Sequence, residues 1–142
     1  MSAADKFAAE LREEFRLAVP VGFARFHQAI HLRALKSCID LSAVDTGRLR
    51  NNWQSAVGDP GMQEFPEGSS RESSQLADAA SVLEGMDPYG VSYVSNPLEY
   101  ASYLEDGTPK MEPQPMVRPT VAAIESWAAN LGKGHAGAGS PR

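Results

Sequence analysis

Between Ala3 and Ala18 apolar residues recur at Phe7, Leu11 and Phe15, and polar residues fill most positions between them. That spacing places one row on one face of a helix, extended by Ala18. Pro20 lacks an N–H and crowds the preceding turn, so it is expected to end or kink this helix. A second row follows at Phe23, Phe26, Ile30, Ala34, Cys38 and Leu41, and Leu32, Leu35 and Ile39 widen it. The pattern predicts a long helix over Pro20–Asp40, continuing the first at an angle and burying two sides.

Helical spacing stops at Val44-Asp45-Thr46-Gly47, where Gly47 suits a turn that needs positive φ. Trp53, Ser55 and Val57 alternate with Gln54 and Ala56, predicting a short strand. Residues 58–74 are rich in Gly, Pro, Glu and Ser and read as a loop insertion. Gln75–Gly85 carries Leu76, Ala79, Ala80 and Leu83 on one helical face, and Val91–Ser95 reads as a strand. Asn96 is placed as a helix N-cap, Pro97 as the first helical residue and Glu99 as the capping-box acid. Gly107 is expected to close that helix. Four prolines within residues 109–119 demand a stiff extended arm. A last helix is expected from Pro119 to Leu131, stopped by Gly132 and followed by a flexible tail over 132–142. These elements make one α+β domain over residues 1–131, with a small mainly antiparallel sheet packed against the long kinked N-terminal helix and the C-terminal helix.

Composition sets the scale. Of 142 residues 60 are hydrophobic, but 20 of those are alanine, so the core must be modest. No run approaches the ~18 apolar residues of a membrane span, and the start of the chain offers no secretory h-region. A single cysteine, Cys38, leaves no intramolecular disulfide and fits a reducing cytoplasm. Charge is segregated: the net is +2 over residues 1–58, −9 over 59–112 and +2 over 113–142. An acidic centre lacks the clustered Lys and Arg of a nucleic-acid grip. It permits like molecules to meet head to tail, and it also suits a solvated loop region.

Candidate chemistry is sparse. Asp45-Thr46-Gly47 is the triplet of aspartic proteases, where two copies share a proton across a dimer. Arg48 and Arg50 follow it, and cations that close would hold the carboxylate ionised. A helix-ending turn explains the triplet more simply. His27 and His31 have zinc spacing on a helix, yet Gln28 stands where a metalloprotease needs Glu, and no third ligand is evident. They read as helix-surface histidines. Glu99, Glu105 and Asp106 lie among Tyr89, Tyr93, Tyr100 and Tyr103, but helix-end acids are usually solvated. No catalytic site and no cofactor or metal site is expected. Met111, Met116 and Val117 on the proline arm suit docking on a neighbour, or folding back onto the chain's own sheet.

Three blocks carry a resemblance. Val44-Asp45-Thr46-Gly47-Arg48-Leu49-Arg50-Asn51-Asn52-Trp53 resembles the "VDTG-x-L-R-x-S/N-W" opening of the tail-completion or neck proteins of long-tailed phages. Val94-Ser95-Asn96-Pro97-Leu98-Glu99-Tyr100-Ala101-Ser102-Tyr103-Leu104-Glu105-Asp106-Gly107-Thr108 is similar to that family's "I-x-N-x-x-x-Y-A-x-Y-x-E-x-G-T". Pro113-Gln114-Pro115-Met116-Val117-Arg118-Pro119 resembles its "P-x-Q-P-F-L-R-P-A" arm. Residues 58–74 are longer than a simple hairpin connection, and Met116 stands where the family more often has an aromatic. The resemblance implies a non-enzymatic virion protein that completes or terminates the tail and supports head–tail joining. It implies a ring, often a hexamer, at the neck or head-proximal end of the tail, assembled in the bacterial cytoplasm. Partners would be further copies of the chain, the tail tube protein and a head-completion or connector protein. DNA would pass through the lumen without specific binding, repelled by carboxylates from residues 59–112. Contact residues expected between subunits are Arg48, Arg50, Tyr100, Glu105, Met116 and Arg118, with Arg118 facing a neighbour's acidic block. Gly47, Asn96 and Gly107 are expected to be architectural. The rival from the residues alone is a homodimeric aspartic protease using Asp45-Thr46-Gly47. A prophage adaptor that stays monomeric and outside the particle is a third possibility.

Overall fold

The structure is a computed structural model that describes residues 2–42, 47–66, 71 and 74–138, with side chains through residue 131. The elements are α1 (Ala3–Leu41), α2 (Arg48–Asn51), β1 (Gln54–Val57), α3 (Gln75–Leu83), β2 (Ser92–Ser95), α4 (Glu99–Asp106) and α5 (Val117–Ala138). They form the α+β architecture expected. Asp45 and Thr46, part of the 58–74 insertion and the last four residues lie outside the described residues.

α1 begins in a capping box, in which Ser2 Oγ accepts from the Asp5 N–H and the Asp5 carboxylate accepts from the Ser2 N–H. It then runs unbroken for 39 residues with Pro20 inside it. Of the two expected effects of Pro20, an end to the helix does not occur. Proline removes one i→i−4 bond, but this half of the helix is exposed, so the Arg16 carbonyl freed by Pro20 can turn to water. At 1.5 Å per residue α1 is about 58 Å long, roughly twice the width of the domain it serves.

Only the C-terminal half of α1 enters the core. His31, Leu35, Cys38 and Ile39 are buried, whereas Leu41, expected on the inner face, is 48% exposed. Leu49, Trp53, Ala79, Leu98, Ala101, Leu104 and Met116 complete the cluster around them. β1 and β2 pair antiparallel from Gln54↔Ser95 to Val57↔Ser92. Two strands alone are marginal in water; here α3 packs on β1 and α1 on β2.

The helix boundaries correct two expectations. Asn96 is not the N-cap of α4, which begins at Glu99 after Leu98. Its side chain instead accepts from the Leu98 N–H and donates to the Leu49 carbonyl, tying the approach to α4 onto α2. Glu99 accepts from the Tyr103 hydroxyl rather than closing a capping box. Gly132 does not stop α5, which starts at Val117 and continues to Ala138. A helical glycine costs only about 1 kcal/mol, and Ala129, Leu131, Lys133 and Ala136 favour continuation.

Gly107 does close α4. It sits at φ 76°, and a Cβ there would lie 2.9 Å from Pro113 Cγ and 3.0 Å from the Met111 carbonyl oxygen. Both the backbone angle and the crowding demand glycine.

Candidate functional site

The proline arm folds back onto its own domain. Thr108 and Met111 pair across a tight turn, and the Gln114 N–H donates to the Leu104 carbonyl at 2.7 Å. Met116 is then delivered into the core at 1% exposure, touching Ser42 through its sulfur at 3.2 Å. Met116 is therefore a core residue, and its expected role as a side chain docking on a neighbour is corrected. Burial of an adaptable thioether here stabilises the junction of α1, α4 and α5.

Glu105 holds the other side of that junction. Its carboxylate accepts the N–H groups of Met116 at 2.9 Å, Val117 at 2.8 Å and Arg118 at 3.2 Å. These are donors at the start of α5, where an anion is favoured by the orphan N–H groups and the helix dipole. Partial burial opposes ionisation, but these three N–H bonds and the Arg118 charge outweigh it and hold the carboxyl below its ordinary value. Arg118 pairs with Asp106 of its own chain at 2.7 Å and donates to the Glu105 carbonyl, so it faces intramolecular acids. Both side chains of that pair are largely exposed, so it remains open to exchange with a neighbour. Tyr100, 53% exposed on α4, is free to make contacts outside the domain.

Glu105→Gln is expected to cost about 1–2 kcal/mol, the usual value of a helix cap. Because the folded carboxyl titrates below its ordinary value, this contribution is present above the ordinary value near 4.5 and lost as the pH falls through the depressed one. Chemical denaturation of both proteins at pH 7 and at pH 3 measures it; an equal gap at both values would contradict the capping role.

Arg48 and Arg50 frame the other end of the site. Gly47, at φ 72°, starts α2. Arg48 pairs with Glu64 on the insertion, while Arg50 Nε donates to the Ile39 carbonyl at 3.1 Å. The insertion is stitched to the domain by buried amides. Asn52 accepts from the Phe65 N–H and donates to the Phe65 carbonyl, imitating a strand partner. Gln54 does the same for Gln63. The Arg71 guanidinium lies 3.6 Å over the Phe65 ring and donates to the Asn51 and Trp53 carbonyls.

His27 and His31 are not surface histidines. His27 Nδ1 lies 3.3 Å from the Pro88 carbonyl, so that nitrogen carries the proton and Nε2 accepts from Ser92 Oγ at 2.7 Å. His31 Nδ1 then donates to the same oxygen at 2.8 Å, and His31 Nε2 accepts from Ser55 Oγ at 2.7 Å. One consistent proton order, with both rings neutral, ties α1 to both strands. His31 is 4% exposed, and burial with the neighbouring His27 pushes its pKa down to about 4. A hydroxyl donating to histidine is half of a nucleophile–base pair, but here each atom is consumed in a latch between elements. Among the described residues no group of three or more His, Cys, Asp or Glu is placed to hold a metal. The spacing of the two histidines was visible in the sequence. Their serine partners, 24 to 65 residues away, were not.

What remains is surface. Phe7, Leu11 and Phe15 are 66%, 43% and 59% exposed on the projecting half of α1. The acids Asp59, Glu64, Asp78, Glu84, Asp87, Glu99, Asp106 and Glu112 are likewise exposed. Among the described residues no helix is long and apolar enough to cross a membrane. The chain matches no protein-family model, and no curated protein or solved structure matches it.

Proposed function

We propose that the chain is a structural subunit of a tailed-phage particle, completing or terminating the tail as a ring around the DNA channel. The observation that carries the reading is the projecting half of α1, whose apolar row has no cover within its own domain. Apolar surface held out on a rigid element marks a protein contact, and a subunit with a thin core gains burial from its neighbours. The three sequence blocks support the setting, and the structure gives several of their residues architectural work. Leu49 and Trp53 enter the core, Asn52 anchors the insertion, Gly107 turns the arm and Glu105 caps α5.

Interface residues in this reading are revised from the sequence expectation. Tyr100, Arg118 and Arg48 are exposed and retained; Glu105, Met116 and Arg50 support the domain that presents them. The exposed carboxylates of residues 59–112 line the channel, where they repel phosphate and let DNA slide. The partners are further copies of the chain, the tail tube protein and a head-completion or connector protein.

Removing the gene from its phage or prophage is expected to leave filled heads and polymerised tails that do not join, and complementation restores particles. Unchanged particle yield would overturn the proposal. Asp45→Asn separates it from the protease: a structural subunit loses no hydrolysis, whereas a dimeric aspartic protease loses all of it.

A further inference from the structure

We propose that residues 3–19 of α1 are a docking arm, and that its Phe7–Leu11–Phe15 face seats in the cleft between α1 and α5 of a second copy, head to tail. The proposal takes its biological setting from the assembly reading above, but its geometry stands apart from it.

The molecule carries both halves of the contact. At about 100° per residue, the Phe7–Leu11–Phe15 row is turned roughly 135° from the His31–Leu35–Cys38–Ile39 face that packs on the domain. The row is therefore not an extension of the core-facing stripe. The cleft has a volume of about 500 Å³ and is lined by Arg33, Lys36, Leu41, Ala123, Ile124 and Trp127 among others. Trp127 stacks on Phe26 at 6.0 Å, with the Arg33 guanidinium 4.0 Å from its ring, so the cleft has an aromatic end and a cationic edge.

The two surfaces match in length and charge. Phe7 to Phe15 spans eight residues, about 12 Å, and the α1 wall of the cleft from Arg33 to Leu41 spans the same. Anchors one and two turns apart on one helix face are the pattern by which helices enter apolar grooves. Glu10 and Glu14 lie one turn apart along one edge of the arm's row. Lys36 on the cleft wall is paired with Asp40 at 2.9 Å, so the cation that the acidic edge of the arm meets is Arg33.

A chain cannot satisfy itself. The arm and one wall of the cleft belong to the same continuous helix, so the arm cannot reach its own cleft. Donor and acceptor are different surfaces of one molecule, which makes the contact heterologous. Repetition of a heterologous contact closes a ring when the rotation permits.

Sedimentation of the full chain tests this with two variants at exposed positions, Phe7→Glu/Phe15→Glu in the arm and Ala123→Glu in the cleft. The unaltered chain is expected to self-associate beyond a dimer at sub-millimolar concentration, with Trp127 emission shifting to the blue as it is covered. Each variant is expected to weaken self-association by about 30-fold or more, the fold-change of losing central anchors. Their mixture is expected to restore a one-to-one heterodimer and nothing larger, since one copy supplies an intact cleft and the other an intact arm. Unchanged far-UV circular dichroism shows that both variants fold. A chain that stays monomeric, an Ala123→Glu variant that associates like the unaltered chain (as arm-to-arm pairing requires), or a mixture that gives no heterodimer would each overturn the proposal. Heterodimers formed by a protein absent from particles would remove the tail reading and leave the docking arm standing.

Discussion

Trp53→Ala is expected to destabilise the protein by about 4 kcal/mol, the range of large aromatic truncations in a core. Trp53 is 3% exposed and packs in the cluster with Leu35, Leu49 and Met116. Its indole N–H donates to Ser42 Oγ at 2.7 Å, and that hydroxyl donates to the Cys38 carbonyl at 2.6 Å. Truncation thus opens a cavity and removes a donor at the same point, where α1 ends and the proline arm arrives. For a chain of this size the melting temperature should fall by about 10 °C. Trp53→Phe keeps most of the packing and loses the hydrogen bond, so it should cost about 1–2 kcal/mol. Thermal denaturation of the two variants measures the difference. A loss below about 1 kcal/mol for the alanine variant would mean that Trp53 is not where the elements meet.

Lowering the pH from 7 to 4 is expected to remove on the order of 3 kcal/mol of stability through His31 alone. The ring is buried, its folded pKa is about 4, and its ordinary value is 6.5. In that window the unfolded chain binds a proton that the folded chain refuses, so stability is full above 6.5 and drains away as the pH falls through 4. Protonation would also break the latch, because Nε2 must accept from Ser55 while Nδ1 donates to Ser92. Facing it are His27 on its own helix, Ser92 on β2 and Ser55 on β1. His31→Gln removes the titration while keeping polar atoms near both serines. Its stability should be lower at pH 7 and flatter down to pH 4 in urea titrations. A parallel decline in both proteins would assign the acid sensitivity to other groups, such as Glu105.

Much of the architecture was readable from local chemistry. The period of Leu76, Ala79 and Leu83 gave α3, the alternation around Ser55 gave β1, and Gly107 closed α4 because only glycine tolerates that turn. The failures share a cause. Pro20 reads as an end or a kink and Gly132 as a stop, yet each carries a finite cost that an exposed or alanine-rich helix absorbs without ending. Asn96 was placed two residues too early as a cap, because its real partner, the Leu49 carbonyl, is 47 residues away.

The site was legible only in part. Arg118 was expected opposite acids, and its acids prove to be those of its own α4. The proline-rich arm allows Met116 either to dock on a neighbour or to fold back, and nothing local decides between them. The Gln114 N–H bond to Leu104 and the Glu105 cap that bring it home are tertiary. The Phe7, Leu11 and Phe15 row was plain in the sequence. That it faces away from the core needed the register of the whole helix.

Cryo-EM of particles purified from the phage or prophage that encodes the chain is the decisive test of a ring subunit, since it gives position and symmetry together. A ring of this subunit is expected at the neck or head-proximal end of the tail, with each arm on the next copy's α1/α5 cleft and the carboxylates of residues 59–112 toward the lumen. Absence of the chain from the particle would rule out a tail subunit, and a ring with those acids on its outer rim and basic side chains inside would rule out the acidic lumen.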